Sequence, residues 1–439
     1  MLLKKLRAEE FLDLVAASSI IRPGVARSGM MHEYIIRFRN PEKRQYIHPR
    51  MQDLMQETFG IMVYQEDVIK VAHFFAGLSL AEADSLRRGM SGKYRSRDEF
   101  ARAREAFIRG CRERGYSEEV TLEVWRQIES FAGYSFSKGH SASYAVESYQ
   151  SLFLKAHYPL EFMVGVINNF GGFYQTEFYV HEARMAGGII QAPCVNHSEW
   201  LSRIMGKQIF LGLGLMAELE HKTAARLIKE RNANGPFLSL ADFTSRVEIA
   251  IEQLRLLIHV GAFRFTGKRK KELLWEILNL MGHQKATRVV PELFLQESPD
   301  IELPPLSQSR FDDAMDEIRI LGFPLCSPFD LLPEEEQAPG LLAADLPLLQ
   351  GRHIEITGYY VCRKPTRTIR GETMYFATFL DRNGRFFDTI HFPPAAAQFP
   401  FRGKGCYRIR GRVNIEFDFP GIEVGFMEKL PFHKEMRVA

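Results

Sequence analysis

Between about Tyr46 and Asn169 the apolar positions recur every three or four residues, the period of amphipathic helices. VIKVAHFFAGL, ending at Gly77, is a clear instance. Ser79-Leu80-Ala81-Glu82 then has the form of a capping box and opens a helix that carries Arg87 and Arg88 near its end. Gly89 and Gly92 break that helix and leave Lys93 in a loop. Amphipathic segments follow at residues 97–114 and 117–131, and a further helix runs to Tyr158, where Pro159 limits it. From about Leu211 to Leu280 the helical period returns in shorter pieces, with Asn234-Gly235-Pro236-Phe237 as a turn. Prolines and acids dominate from about Met281 to Leu349, which predicts a linker holding one helix over residues 311–320.

The last stretch changes period. HIEITGYYVCRK, ETMYFATFLD, GRFFDTIHF, CYRIRGRV and GIEVGFMEKL are short β-branched and aromatic runs separated by turn residues. That spacing predicts a small antiparallel barrel of about five strands, of the OB type. The expected fold class is multidomain α + β, since 439 residues exceed what one compact core accommodates.

Composition narrows the picture only a little. Hydrophobic content of 46% and charged content of 25% are ordinary for globular protein. No apolar run reaches a membrane span, and MLLKKLRAEEFLDLV is too acidic and amphipathic for a signal peptide, so a cytoplasmic location is expected. The five cysteines are scattered without a C-x-x-C pair, which argues against a zinc site or a disulfide framework.

A net charge of +3 hides local structure in the charge. Basic residues cluster at Arg87 to Arg97, at Arg264 to Lys271, at Arg363 to Arg370 and at Arg402 to Arg412, each beside glycine or aromatic residues. Any one cluster is equally a solvated face; four together raise the case for polyanion binding. Ser137-Lys138-Gly139-His140-Ser141 precedes a helix start, where unpaired N–H groups and the dipole attract anions. The same residues serve equally as a plain capped turn. Arg87, Arg88 and Lys93 form a second anion-ready element, and two such elements can grip one triphosphate from two sides.

Several signatures are absent. Gly261 to Lys268 misses P-loop spacing by one residue, and His181, Cys194 and His197 lack metal-ligand spacing. No G-x-S-x-G elbow, no H-E-x-x-H and no tight pair of carboxylates on an apolar strand is found. The chain is equipped to hold phosphates and not to run two-metal chemistry on them.

Phe59-Gly60-Ile61-Met62-Val63-Tyr64-Gln65-Glu66, Glu82-Ala83-Asp84-Ser85-Leu86-Arg87-Arg88-Gly89-Met90, FAGYSFSKGHSASYAVESYQ and LKAHYPLEFM resemble the fingers region of the bacterial DNA polymerase III alpha subunit. The resemblance continues in order through IFLGLGL, GPFLSLADF and LIHVGAF, similar to the family's tandem helix-hairpin-helix region, and reaches LGFPLCSPFDLL and the terminal OB domain. INNFGGFYQTEFYVHEARMAGG and GKRKKELLWEI are similar to the error-prone, lesion-bypass branch, and the replicative and bypass branches both stay open.

The resemblance implies a fingers domain at residues 1–165, a helix-hairpin-helix region for DNA and clamp binding at 166–285, the linker at 286–345 and the OB domain at 346–439. It implies triphosphate contacts from Arg88, Lys93, Lys138 and His140, with Arg87 and Ser141 as lesser ones. Lys268, Arg269, Lys270, Lys364, Arg367, Arg370, Tyr375 and Phe376 are the candidates for DNA, and Leu293 with Phe294 for a sliding clamp. The family's PHP domain and its palm, whose aspartates hold Mg2+, have no counterpart in this sequence. The expectation is therefore a C-terminal portion, from a split gene or a truncated coding sequence, that is inactive by itself and partners a palm-containing chain, primer–template DNA and a dNTP. A non-catalytic single-strand-binding scaffold is the alternative.

Two positions depart from the family pattern. Met216-Ala217-Glu218-Leu219-Glu220 puts carboxylates where the first hairpin has glycines, which opposes phosphate contact there. Val290-Pro291-Glu292-Leu293-Phe294 keeps only the Leu-Phe anchor of the clamp motif.

Overall fold

A computed structural model describes residues 2–21, 29–90, 97–131, 136–284, 308–368 and 370–432. The chain divides into two compact units: Met1–Phe153 with Glu416–Phe419, and Leu154–Ile415 with Pro420–Ala439. The division falls at Phe153, ahead of the expected boundary at residue 165.

The described helices of the first unit are α1 (Leu2–Leu6), α2 (Phe11–Ile20), α3 (Met30–Arg39), α4 (Pro49–Leu54), α5 (Gln65–Lys70), α6 (Leu80–Met90), α7 (Arg97–Glu113), α8 (Glu118–Phe131) and α9 (Lys138–His157), the last continuing past Phe153. Burial follows the sequence period: Val68, Val71, Phe75, Phe107, Val124, Ile128 and Phe131 are fully enclosed in one core. Each such side chain contributes about 1.5–3 kcal/mol on leaving water. The expected capping box is formed, with the Ser79 N–H donating to Glu82 Oε2 (2.8 Å) and the Glu82 N–H to Ser79 Oγ (3.3 Å). Gly110 lets α7 cross close to the turn after Phe75, since a Cβ there would lie 2.0 Å from the Ala76 carbonyl oxygen.

The second unit begins with α10 (Pro159–Asn168) and α11 (Thr176–Met185), followed by a small sheet of β1 (Ile189–Gln191), β2 (Arg203–Met205) and β3 (Gln208–Phe210) in the order β1-β3-β2. Helices α12 (His221–Asn234), α13 (Leu240–Arg246), α14 (Ile251–His259) and α15 (Lys270–Gln284) enclose a core of Leu227, Phe243, Leu257 and Phe263. Then come α16 (Arg310–Leu321), β4 (His353–Arg367), β5 (Thr373–Leu380), β6 (Phe386–His391), α17 (Pro393–Gln398), β7 (Cys406–Glu416) and β8 (Phe419–Lys429). The five strands close as β4-β5-β6-β8-β7, with β6 and β8 parallel and a bulge between Tyr360 and Cys362. A five-stranded closed barrel with a helix between its third and fourth strands is the OB-type arrangement expected.

The expected linker is corrected for its described part, residues 308–345. Ile320, Leu321 and Phe323 are buried in the α12–α15 core, and Phe329 and Leu332 pack against Tyr359, Val361, Leu380 and Cys406. Prolines here shape short packed turns instead of a free tether. The predicted helix at 311–320 is present as α16, capped by Ser309, whose Oγ accepts from the Asp312 N–H (3.1 Å). No helix among the described residues is long and apolar enough to cross a membrane.

Candidate nucleotide site and nucleic-acid interface

The first turn of α5 gathers the two cationic stretches singled out in the sequence. Gln65 Oε1 accepts from Arg87 Nη1 (3.1 Å), and the Gln65 N–H donates to the Phe136 carbonyl (2.9 Å). Glu66, the next residue, accepts from Ser137 Oγ (2.8 Å) and from the Lys138 backbone N–H (2.9 Å). Arg87 and Lys138, 51 positions apart in the chain, are thereby tied to adjacent residues. Arg88 and Arg87 share Asp84, at 3.0 and 2.8 Å. His140 is exposed beside Phe136, with ring centroids 5.8 Å apart. Lys93 lies outside the described residues.

The α9 N-terminus is not an open anion site. The Glu66 carboxylate already accepts from its first N–H, and the Ser141 N–H donates to the Ser137 carbonyl. Ser141 is corrected as a ligand candidate: it is fully buried, and its hydroxyl pairs with Ser19 Oγ at 2.5 Å. The Lys138 ammonium reaches Glu57 Oε1 (2.5 Å) and stands 5.6 Å from the Tyr64 ring centroid. Beneath it, Asp67 accepts from the Val63 and Tyr64 N–H groups (3.0 and 2.8 Å), and burial raises its pKa to about 6. Burial likewise raises the Tyr64 phenol, with nearby acids adding to the effect.

Sequence reasoning missed the roles of Glu57, Gln65, Glu66 and Asp84. Gln65, Glu66 and Asp84 stand inside the fingers-like motifs, but Glu66 meets its partners 71 and 72 residues away, beyond any local spacing.

In the second unit the basic run at α15 is largely committed to α16. Lys270 Nζ pairs with Asp313 (2.7 Å) and Asp316 (3.9 Å) and is only 15% exposed, so it is corrected as a DNA contact. Lys271 pairs with Asp312 (3.7 Å), and Lys268 with Glu276 (2.7 Å). Lys268 and Arg269 remain exposed. In the first hairpin, Glu218 occupies a left-handed backbone position (φ +65°). The Ala217 N–H donates to the Ile320 carbonyl (2.7 Å), the Glu220 N–H to Gln253 Oε1 (2.8 Å), and Gln253 Nε2 to the Glu218 carbonyl (2.9 Å). The Ala217 and Glu220 amides of this hairpin are thus bonded within the fold.

The barrel separates its cations in two groups. Arg408 is ringed by Glu336, Glu355 and Glu428, and Arg410 pairs with Glu355. Lys364, Arg367 and Arg370 are exposed and have no ion pair among the described residues. Lys364 lies directly opposite Phe376 across β4 and β5, so both project from one face, and Phe376 is 43% exposed. Tyr375 alternates to the other face, half-buried, 5.6 Å from Phe401 and under the Arg363 guanidinium. The clamp candidates Leu293 and Phe294 lie outside the described residues.

A hairpin-rich helical domain followed by an OB-type barrel is the architecture of proteins that handle nucleic acids. Residues 1–115 match the bacterial DNA polymerase III alpha subunit finger domain, and residues 187–273 the helix-hairpin-helix motif. The DNA polymerase III subunit alpha of Staphylococcus epidermidis RP62A is 31% identical over 90% of this chain and 34% of its own length. That of Aquifex aeolicus VF5 is 34% identical over 69% of this chain and 26% of its own length. The chain belongs to the bacterial DNA polymerase III alpha-subunit family and spans about a third of the length of the curated relatives it matches.

Proposed function

We propose that this chain furnishes the incoming-nucleotide grip and the nucleic-acid-holding domains of a DNA-directed DNA polymerase, working with a palm that supplies the metal-binding carboxylates. The observation that carries this reading is the meeting of Arg87 and Lys138 at the first turn of α5, with α5 and Arg87 inside the stretch that matches the polymerase finger domain. Arg87, Arg88, Lys138 and exposed His140 would face the triphosphate, and exposed Lys268 and Arg269 the DNA backbone. In this reading the Mg2+ ions sit on the palm. The chain's own residues then bind and orient the nucleotide, and the nucleotidyl transfer itself is left to the palm.

Primer extension is measured with this chain alone, with a palm-containing family chain, and with both. No extension alone, and extension with the pair above either component, is expected. Lys138→Ala in the pair should raise the dNTP KM about 10- to 100-fold, the loss of one charge-assisted phosphate contact. Extension by this chain alone, or an unchanged KM, would overturn the assignment.

A second reading, a non-catalytic single-strand-binding scaffold, is favoured by the exposed Lys364 opposite exposed Phe376, with Arg367 and Arg370 also exposed and none of the three cations in an ion pair among the described residues. It is compatible with the first and leaves the fingers unexplained.

A further inference from the structure

Each described arginine and lysine of the proposed nucleotide site already holds a carboxylate. Arg87 and Arg88 share Asp84 on their own helix, so either can turn away while the other keeps the acid. Glu66 is bound twice, by a hydroxyl and by the α9 amide, and is part of the local fold. The Lys138–Glu57 pair differs. It is one-to-one, it joins positions 81 residues apart, and its side chains are 37% and 46% exposed. An exposed pair of this kind is intrinsically weak and easily exchanged.

Resting on the nucleotide reading above, we infer that Glu57 is a built-in competitor that occupies the Lys138 ammonium until a triphosphate takes its place. A phosphate oxygen forms the stronger charge-assisted bond and brings several charges at once, so it displaces a single exposed carboxylate. Lys138 does not depend on Glu57 for its place, because its backbone N–H is held by Glu66 and its ammonium lies near the enclosed Tyr64 ring. Removing the charge of Glu57 therefore removes a competitor and leaves the cation where it is. A purely structural role would predict the opposite sign, a loss of affinity on substitution.

The test is equilibrium binding of dATP and of inorganic tripolyphosphate to the full chain, with Glu57→Gln, Lys138→Ala, the double variant and the charge control Glu119→Gln. Glu57→Gln should bind both probes about two- to five-fold tighter, the factor released by an exposed ion pair. That gain should vanish in the Lys138→Ala background and be absent in Glu119→Gln. Lys138-dependent binding that Glu57→Gln leaves unchanged or weakens overturns the inference and spares the nucleotide site. Equal binding by wild type and Lys138→Ala, including no binding by either, overturns both. A gain that persists without Lys138 reduces Glu57 to general repulsion and also overturns the inference.

Discussion

His391 shows how one buried ring can set a pH limit for the barrel. It is fully enclosed against Phe401, and its Nε2 lies 2.9 Å from Thr389 Oγ1. The Thr389 hydroxyl donates to the Ala377 carbonyl (3.2 Å), which leaves its oxygen to accept from Nε2–H and assigns Nδ1 the bare lone pair. Nδ1 has no partner among the described residues, so a proton there would sit unsolvated, and burial lowers the ring's pKa to about 4. The unfolded chain takes that proton near 6.5. As pH falls from about 6.5 to about 4 the unfolded state binds the extra proton and stability drops, by on the order of 3 kcal/mol. Melting temperatures near pH 7 and near pH 5 should differ less in His391→Gln than in wild type. Equal differences would discard this account. None of this was legible in the sequence, where His391 is one polar residue in an alternating strand.

Among elements, the sequence revealed those whose signals are local. The Ser79–Glu82 cap, the α16 helix and the barrel strands follow from spacing alone, because caps and periods act within a few residues. The segment after α16 was misread because proline and acid content resembles a tether, while the decisive facts are remote: Phe323 enters the α12–α15 core and Leu332 packs on the barrel. The basic run at α15 was half legible. Its charge is visible in the sequence, but the acids of α16 that answer it are more than 40 positions away. Helix α7 carries its own prediction. Gly110→Ala drives a methyl into the Ala76 carbonyl, and denaturant unfolding should show about 1–3 kcal/mol less stability. A gain, as an open helix site would give, would mean the crossing is looser than described.

At the scale of the whole molecule, the proposed nucleic-acid binding turns on cations that have no ion pair among the described residues. On the barrel these are Lys364, opposite Phe376, and the exposed Arg367 and Arg370, whereas Arg408 and Arg410 pair with carboxylates. Binding of a fluorescent oligodeoxynucleotide to the full chain should weaken steeply with salt, and each of Lys364→Ala, Arg367→Ala and Arg370→Ala should shallow the log–log slope by about 0.7. Arg410→Ala should leave the slope alone; equal effects from all four would mean the sorting of the two groups has no bearing on DNA. The motifs of the fingers identified the family, yet the site's acids became visible only when residues 57, 66, 84 and 138 were brought together.

The seating of α16 also decides where the polypeptide can be cut. A recombinant fragment stopping at Gln284 would lose Ile320 and Phe323 from its interior and leave Lys270 facing solvent with its countercharge gone. Such a piece would be greasy and adhesive toward any polyanion in an extract. Its apparent appetite for DNA would be an artefact of the truncation.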